Sequence, residues 1–188
     1  HSHWGDDSVE PREQQALGQL ELALETPTAA VIFEPLIQGA SGMRVVRPAF
    51  LRAVAERVQA AGALLIADEV FTGFGRTGAL FACQKAGIQP DLMALSKGLT
   101  GGFLPMGATM ASERLYQGFI SEKPSDTFFH GHSFTANPLG CAAALASLDL
   151  LQQNPGRFEG FEQRHTPLLE QLSRQPRVLR PRCLGTMA

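Results

Sequence analysis

Hydrophobic residues along the chain fall into two kinds of run, and the difference between them predicts the secondary structure. Four runs are short and almost continuous, at 29–34, 63–70, 91–96 and 106–112. Short apolar runs bounded by polar residues, glycine or proline are typical of strands inside a sheet, buried on both faces. The sequence therefore predicts four strands.

Around these strands, apolar residues return every three or four positions, which is the spacing of a helix. The pattern covers 10–25 and 48–62, and the second of these segments begins with a proline and stops at a glycine, as helices commonly do. An Asn-Pro pair forms a favourable cap and first turn for a helix over 138–152. A further helix is predicted over 158–173.

The order strand, helix, strand, connection, strand determines the expected fold class. It favours an α/β fold with a central, mostly parallel sheet flanked by helices. Glycine and proline cluster after the strands, which is where α/β proteins place their binding sites.

Composition and charge narrow the classes of partner. The 188 residues are 44% hydrophobic and carry 16 basic against 18 acidic side chains, a formal net charge of −2. Because no basic stripe is present, we expect no nucleic acid and no membrane partner, and small molecules or proteins instead. The longest apolar run, 138–151, is shorter than the roughly 20 residues of a membrane span and predicts a buried helix.

Cysteine usage indicates the compartment. Cys83, Cys141 and Cys183 are far apart and odd in number, so neither a disulfide framework nor a cysteine zinc site is expected. This favours a reducing cytoplasm. The chain opens without a signal peptide and without methionine, so we expect it to be a piece of a longer protein.

The strand at 63–70 ends on two adjacent carboxylates, Asp68 and Glu69, just before a glycine-rich turn. A carboxylate at the end of a buried strand loses hydration and needs a cation or several hydrogen-bond donors. For Asp68 the partner is either structural, such as a helix N-terminus or Arg76, or it is a cation on a ligand.

Lys97 ends the next predicted strand, 29 residues after Asp68. Either it is an ordinary solvated lysine before a flexible loop, or it lies in a cleft of low polarity where its amine becomes a nucleophile toward carbonyl carbon. Together, the acid and the lysine supply what pyridoxal phosphate requires: an amine for a Schiff base and an anion that keeps the pyridine nitrogen protonated. The pair therefore favours the functional interpretation.

Four segments, in this order and spacing, resemble the class III pyridoxal-phosphate aminotransferases. They are EPLIQGASGM (34–43), ADEVFTGFGRTG (67–78), ALSKGLTGG (94–102) and HGHSFTANPLGCAAALASLDL (130–150). The likeness covers residues 29–152 well and is nearest to the branch of the family that acts in biotin synthesis. It implies part of the large domain of a fold-type I transferase over 1–175, and the start of a truncated small C-terminal domain at 176–188.

The resemblance implies roles for three residues near the strand ends. Lys97 would hold the cofactor covalently and act as the catalytic base, and Asp68 would pair with the pyridinium nitrogen. Val70 lies on the same side of an extended chain as Asp68 and would pack against the cofactor ring, although plain core packing explains it equally well.

The HGHSF segment is implied to complete the cofactor site of a neighbouring subunit in a homodimer. Ser133 stands where the family usually has threonine, and its hydroxyl would bind the cofactor phosphate. His132 would contact the cofactor, and Gly131 the substrate side of the same pocket. The other interpretations are a metal-ligand pair or a plain turn; two histidines without a third candidate ligand nearby argue against metal.

Two further charged residues match family positions. Arg76 would either hold a substrate carboxylate through its fork of donors or brace an acid such as Glu69, and bracing is slightly favoured. Glu34 matches a strand-end glutamate near the cofactor, and its role stays open.

As implied by the resemblance, the reaction moves an amino group from a small-molecule donor to a keto acceptor. In the biotin branch these are S-adenosylmethionine and 7-keto-8-aminopelargonate. Other class III ω-amino-acid aminotransferases, an aminomutase, or a non-catalytic relative with a vestigial pocket remain open alternatives. Because the family's remaining specificity residues lie outside these 188 residues, we expect little or no turnover from this chain alone.

Overall fold

The computed structural model describes residues 9–188 of the chain. Six strands occur in it: β1 (Ala30–Phe33), β2 (Ile37–Gln38), β3 (Arg44–Val45), β4 (Leu64–Asp68), β5 (Leu92–Leu95) and β6 (Ala108–Ala111). Six α-helices accompany them: α1 (Val9–Leu24), α2 (Pro48–Ala60), α3 (Ala82–Ala86), α4 (Glu113–Gln117), α5 (Pro138–Gln152) and α6 (Phe161–Ser173).

The main sheet has four strands in the order β1, β4, β5, β6. β1 pairs with β4, and β4 with β5, in parallel, whereas β6 runs antiparallel to β5. The four predicted strands and the mostly parallel sheet are therefore confirmed. The register places Ile66 of β4 beside Ile32 of β1 on one side and beside Leu92 of β5 on the other.

Helices α1 and α2 cover one face of this sheet. Leu17 of α1 and Val58 of α2 are buried against Leu65 of β4. Every second residue of β4 is buried on this side, as the alternation of side chains along a strand requires. This layer forms one of the two apolar clusters that hold the fold.

A second cluster surrounds the short hairpin formed by β2 and β3. Leu36 and Ile37 pack there with Leu51 of α2, two alanines of α3 and Leu184 near the end of the chain. The hairpin was not predicted, because two-residue strands carry too little alternation to be recognised. The hairpin matters because it belongs to the same apolar cluster as Leu184, near the end of the chain, and Phe71, in the turn that follows β4.

Two burial predictions are wrong for the residues that the structure describes. β1 is not buried on both faces, since Ile32 is 64% exposed on the side away from the helices. α5 is not a buried helix: only Gly140 and Ala144 are buried, while its leucines at 139, 145 and 150 are exposed. Both elements meet the rest of these residues on one side only.

Helix boundaries agree closely with the spacing of the apolar residues. Helix α5 has the predicted cap, in which Asn137 Oδ1 accepts a hydrogen bond of 2.7 Å from the backbone N–H of Gly140. Helix α6 begins at Phe161 rather than at 158, because Pro155–Phe158 forms a separate 3₁₀ turn. Across residues 9–188, every helix is too short or too polar to cross a membrane.

Candidate active site

Two strand ends bring Asp68 and Lys97 to the same edge of the sheet. Asp68 is the last residue of β4 and the register partner of Ala94 in β5. β5 ends at Leu95, and Lys97 follows two residues later. Because parallel strands end at a common edge, the carboxylate and the amine lie at the edge that α/β proteins use for ligands.

Asp68 and its neighbour Glu69 face opposite sides of the sheet, since side chains alternate along a strand. Asp68 is half-buried, and its Oδ1 accepts a hydrogen bond of 3.0 Å from the backbone N–H of Val70. Within residues 9–188, Asp68 forms no ion pair, and its Oδ2 accepts no hydrogen bond. Its second oxygen is therefore open to a donor outside these residues.

Lys97 begins a tight 3₁₀ turn, Lys97–Thr100, in a backbone conformation that side-chain-bearing residues rarely adopt. Its φ is +46°, and strain of this kind, about 1–3 kcal/mol, is found mostly at functional sites. Gly98 follows, where an added Cβ would lie 2.6 Å from the Cβ of Phe74. The turn after β5 thus packs closely against the turn after β4.

Hydrogen bonds explain why Glu69, the second carboxylate of the pair, is tolerated in the core. It is wholly buried, and its oxygens accept hydrogen bonds from the Thr72 hydroxyl at 2.6 Å and from the backbone N–H groups of Ala82 and Cys83 at 3.1 and 2.7 Å. Burial, together with the negative charge of Glu69, raises the pKa of the Cys83 thiol. Glu69 is therefore a structural carboxylate.

An open pocket of about 190 Å³ lies where the turns after β4 and β5 meet the C-terminal part of the chain. Lys97, Val70 and Arg76 all line it, so the structure brings these three predicted residues together. The other lining residues are Phe71, Gly73, Phe74, Gly75, Gly98, Arg157, Phe158, Phe161 and Thr186. Asp68 is not among the lining residues.

Arg76 does not brace Glu69, so that preference was wrong. Its guanidinium carbon lies 4.8 Å from the centroid of the Phe71 ring, and its side chain is exposed. Its carbonyl oxygen accepts hydrogen bonds from the backbone N–H and the hydroxyl of Thr186, at 2.9 and 3.1 Å. Glu69 does not need the Arg76 guanidinium as a partner, because three uncharged donors already satisfy its carboxylate.

The segment holding Gly131, His132 and Ser133 lies apart from this pocket. All three residues are exposed, and none lines the pocket. His132 accepts a hydrogen bond of 3.1 Å at its ring Nδ1 from the Phe134 backbone N–H. The backbone N–H of His132 donates to the Thr135 hydroxyl. The structure therefore does not bring these residues to Lys97, and among residues 9–188 no cluster of metal ligands forms there or elsewhere.

Glu34 holds the loop that carries the β2–β3 hairpin. Its Oε2 accepts a hydrogen bond of 2.8 Å from the backbone N–H of Gly39. A Cβ at Gly39 would lie 3.0 Å from the Phe71 ring and 3.4 Å from that same oxygen. Glu34 and Phe71 therefore meet at one glycine, beside the pocket.

Sequence reasoning missed the aromatic and C-terminal parts of the pocket. Phe71 and Phe74 belong to the turn motif ADEVFTGFGRTG, and two phenylalanines within four residues could have indicated an aromatic wall there. Phe158, Phe161 and Thr186 lie 84 or more residues after Phe74 and 61 or more after Lys97, and no local pattern connects them to either residue. Their place depends on how the C-terminal segment packs on the turn after β4.

The donor set fits pyridoxal phosphate at its ring and aldehyde ends. The amine of Lys97 is exposed to the pocket, and Asp68, on the neighbouring strand, keeps one oxygen free for a protonated ring nitrogen. Within the described part of the chain, the hydroxyl of Ser133 is not brought to this pocket for the phosphate.

Comparison with protein families gives one match that spans nearly the whole chain. The sequence profile described as "Aminotransferase class-III" matches residues 3–188. A curated relative from Synechococcus elongatus, an adenosylmethionine-8-amino-7-oxononanoate aminotransferase, is 61% identical over 186 residues. That alignment covers 98% of this chain and 44% of the relative, so the chain spans less than half the relative's length.

Solved structures agree with this match. A crystal structure of an adenosylmethionine-8-amino-7-oxononanoate aminotransferase from Methanocaldococcus jannaschii superposes with a TM-score of 0.83 at 32% identity, over 92% of this chain and 41% of that one. An ornithine aminotransferase from Toxoplasma gondii, whose active site holds pyridoxal phosphate at partial occupancy, gives 0.79 at 33% identity, over 90% and 39%. The likeness therefore extends to sequence and fold together.

Proposed function

Because this chain belongs to the class III aminotransferases, we propose that the protein it is part of transfers an amino group from S-adenosylmethionine to 8-amino-7-oxononanoate (7-keto-8-aminopelargonate). The product would be 7,8-diaminopelargonate, an intermediate of biotin synthesis. The observation that carries the proposal is the parallel pairing of β4, which ends at Asp68, with β5, which ends two residues before Lys97. The 61% identity with a relative of this name supports the choice of substrates.

In the proposed reaction, Lys97 Nζ holds the cofactor and later moves a proton at the substrate carbon that bears the amino group. When bound, pyridoxal phosphate supplies a protonated pyridine ring that withdraws electrons from that carbon. Lys97 is suited to this role because its strained turn is fixed by packing of Gly98 on Phe74. Its amine also forms no ion pair among residues 9–188 that would have to be broken first.

Asp68 would supply the negative charge that keeps the ring nitrogen protonated. The Val70 N–H donates to one of its oxygens and so orients the carboxylate. Val70 itself lines the pocket, where its side chain would pack against the cofactor ring. Both roles depend on residues 68–70, where β4 ends and the following turn begins.

Arg76 and the HGH segment would complete the site. Arg76 lines the pocket without a carboxylate partner among the described residues, which suits it to bind a substrate carboxylate. We propose that Ser133 and His132 reach the cofactor of a neighbouring subunit in a homodimer and that Gly131 lines its substrate side. Their exposure and their separation from the Lys97 pocket support that arrangement.

Two further proposals concern organisation and location. Residues 1–175 would form part of the large domain and 176–188 the start of the small one; residues 1–8 lie outside those that the structure describes. The free state of Cys83, Cys141 and Cys183 supports a reducing cytoplasm as the place of action.

The test uses the full-length protein mixed with pyridoxal phosphate. A yellow, protein-bound absorbance is expected, and it should be lost in Lys97→Ala and kept in Lys123→Ala, an exposed lysine on another loop. Turnover should require both S-adenosylmethionine and 8-amino-7-oxononanoate, and ornithine should not replace the donor. Unchanged colour in Lys97→Ala would move the role to another lysine, and absence of colour in the unmodified protein would favour a non-catalytic relative.

A further inference from the structure

Phe71 lines the pocket, and its ring packs closely against neighbouring backbone. It follows Val70 in the turn after β4 and packs against Gly39, where an added Cβ would lie only 3.0 Å from the ring. The Gly39 backbone is itself held by its hydrogen bond to Glu34. The ring therefore rests on backbone that cannot easily give way, and its position is well defined.

Two cations use this one ring. The Arg76 guanidinium carbon lies 4.8 Å from the ring centroid, and the Lys97 Nζ lies 5.2 Å from it. Both distances fall within the roughly 6 Å over which an aromatic face attracts a cation. Phe71 is thus the contact that joins a lysine after β5 to an arginine in the turn after β4.

An acidic side chain would be the expected partner of two neighbouring cations, but here their shared contact is the Phe71 ring. Among residues 9–188, Arg76 and Lys97 form no ion pair, whereas Arg47, Arg57, Lys85 and Arg114 each do. A carboxylate would hold the two cations more strongly, but it would also occupy the donors of the guanidinium fork. An aromatic face attracts the cation and leaves those N–H donors free.

We propose that Phe71 is a positioning residue, whose ring holds Arg76 at the pocket with its donors free for the carboxylate of a substrate. The inference goes beyond the proposed function, which assigns Phe71 no role, and it rests on that function only for the identity of the substrate. Lys97 is the second cation on the ring and places the carboxylate site next to the reacting amine.

The contact can be measured without any turnover. In full-length protein labelled with ¹⁵N-arginine, the side-chain Nε–H signal of Arg76, assigned by its loss in Arg76→Lys, should be shifted by the ring current of Phe71. Phe71→Leu keeps the apolar bulk and should lose the shift, and Phe71→Tyr should keep it. Phe119→Leu is the control, because this exposed ring does not line the pocket and its removal should leave the Arg76 signal unmoved.

Binding then tests what the contact does. Nonanoate, a carboxylate with no amino or keto group, is titrated while the Arg76 signal is followed. Its Kd should rise about two- to fivefold in Phe71→Leu, the factor expected from losing an exposed cation–π contact, and should return to within about twofold of the original in Phe71→Tyr.

Three outcomes would overturn the inference: an Arg76 signal that is the same in Phe71→Leu, a nonanoate titration that leaves this signal unmoved in the unmodified protein, or equal affinities in the leucine and tyrosine variants. Each can be read whether or not the protein binds pyridoxal phosphate, so failure of the proposed function, which shows as absent yellow colour, is seen separately.

Discussion

The carboxylate of Glu69 accepts a hydrogen bond of 2.7 Å from the backbone N–H of Cys83, fourteen residues further along the chain. With the bonds from Ala82 and Thr72, this contact joins the end of β4 to the first turn of α3. It also fixes the direction of Asp68, because a strand whose last side chains alternate must present Asp68 to the opposite face once Glu69 is buried. The adjacent acids thus have different surroundings: Glu69 is buried in the core, and Asp68 lies half-buried on the opposite face of the sheet.

Removing the Glu69 carboxylate should destabilise the protein strongly. In Glu69→Ala, two buried backbone N–H groups and a hydroxyl lose their acceptors, and we expect the free energy of unfolding to fall by about 3 kcal/mol or more. Glu69→Gln keeps one acceptor oxygen and should lose less. Urea denaturation of the full-length protein measures both, with Glu56→Ala, an exposed glutamate of α2, as control. A loss in Glu69→Ala no larger than in that control would contradict the structural role.

Asp68 should behave in the opposite way, with a large effect on activity and a small one on stability. In Asp68→Asn, the amide oxygen can still accept from the Val70 N–H, so the local fold persists while the negative charge is gone. If Asp68 supports the cofactor ring, we expect kcat to fall by at least about 100-fold and the free energy of unfolding to change by less than about 1 kcal/mol. Steady-state kinetics and urea denaturation of the same preparation give both values.

How far the sequence could predict this site follows from the range of the forces involved. Asp68 and Lys97 could be placed at one edge because buried apolar runs define parallel strands, and parallel strands share an edge. The structural role of Glu69 could not be predicted, since its partners are backbone N–H groups of a five-residue helix with no sequence signal of its own. Exposure of Ile32 was missed for a related reason: an apolar run shows what a residue prefers, and not which elements are there to cover it.

The C-terminal wall of the pocket shows the same limit. Phe158 and Thr186 reach the turn after β4 only through tertiary packing, in which Gly75 and Gly185 allow close approach of the backbone. Glycines in the turn motif were visible in the sequence, but a glycine does not indicate what will pack against it.

Gly75 should tolerate no side chain. It has a φ of +91°, and a Cβ there would overlap the ring of Phe158. We expect Gly75→Ala to lower the free energy of unfolding by about 2–4 kcal/mol, since backbone strain and steric overlap add. Combining it with Phe158→Ala removes the overlap and leaves the strain, so the double variant should be more stable than the sum of the single effects predicts. Strict additivity in urea denaturation would show that Phe158 does not pack on Gly75.

Asp91 should make stability depend on pH at the acidic end. The Leu65 N–H, and secondarily the exposed Arg114, hold the pKa of Asp91 below its ordinary value of 3.8. Because the folded state has the lower pKa, the unfolded state takes up the proton first as pH falls. The stabilisation is complete above the ordinary pKa and is lost as pH falls through the pKa of the folded state.

Asp91→Asn should therefore be less stable than the unmodified protein by about 1 kcal/mol at pH 7, and this gap in the free energy of unfolding should close below pH 3.8. Urea denaturation at several pH values measures the gap, and Asp149→Asn, an exposed aspartate of α5, is the control with a gap near zero throughout. A gap for Asp91→Asn that stays constant or widens on acidification would mean that the folded state does not prefer the charged carboxylate.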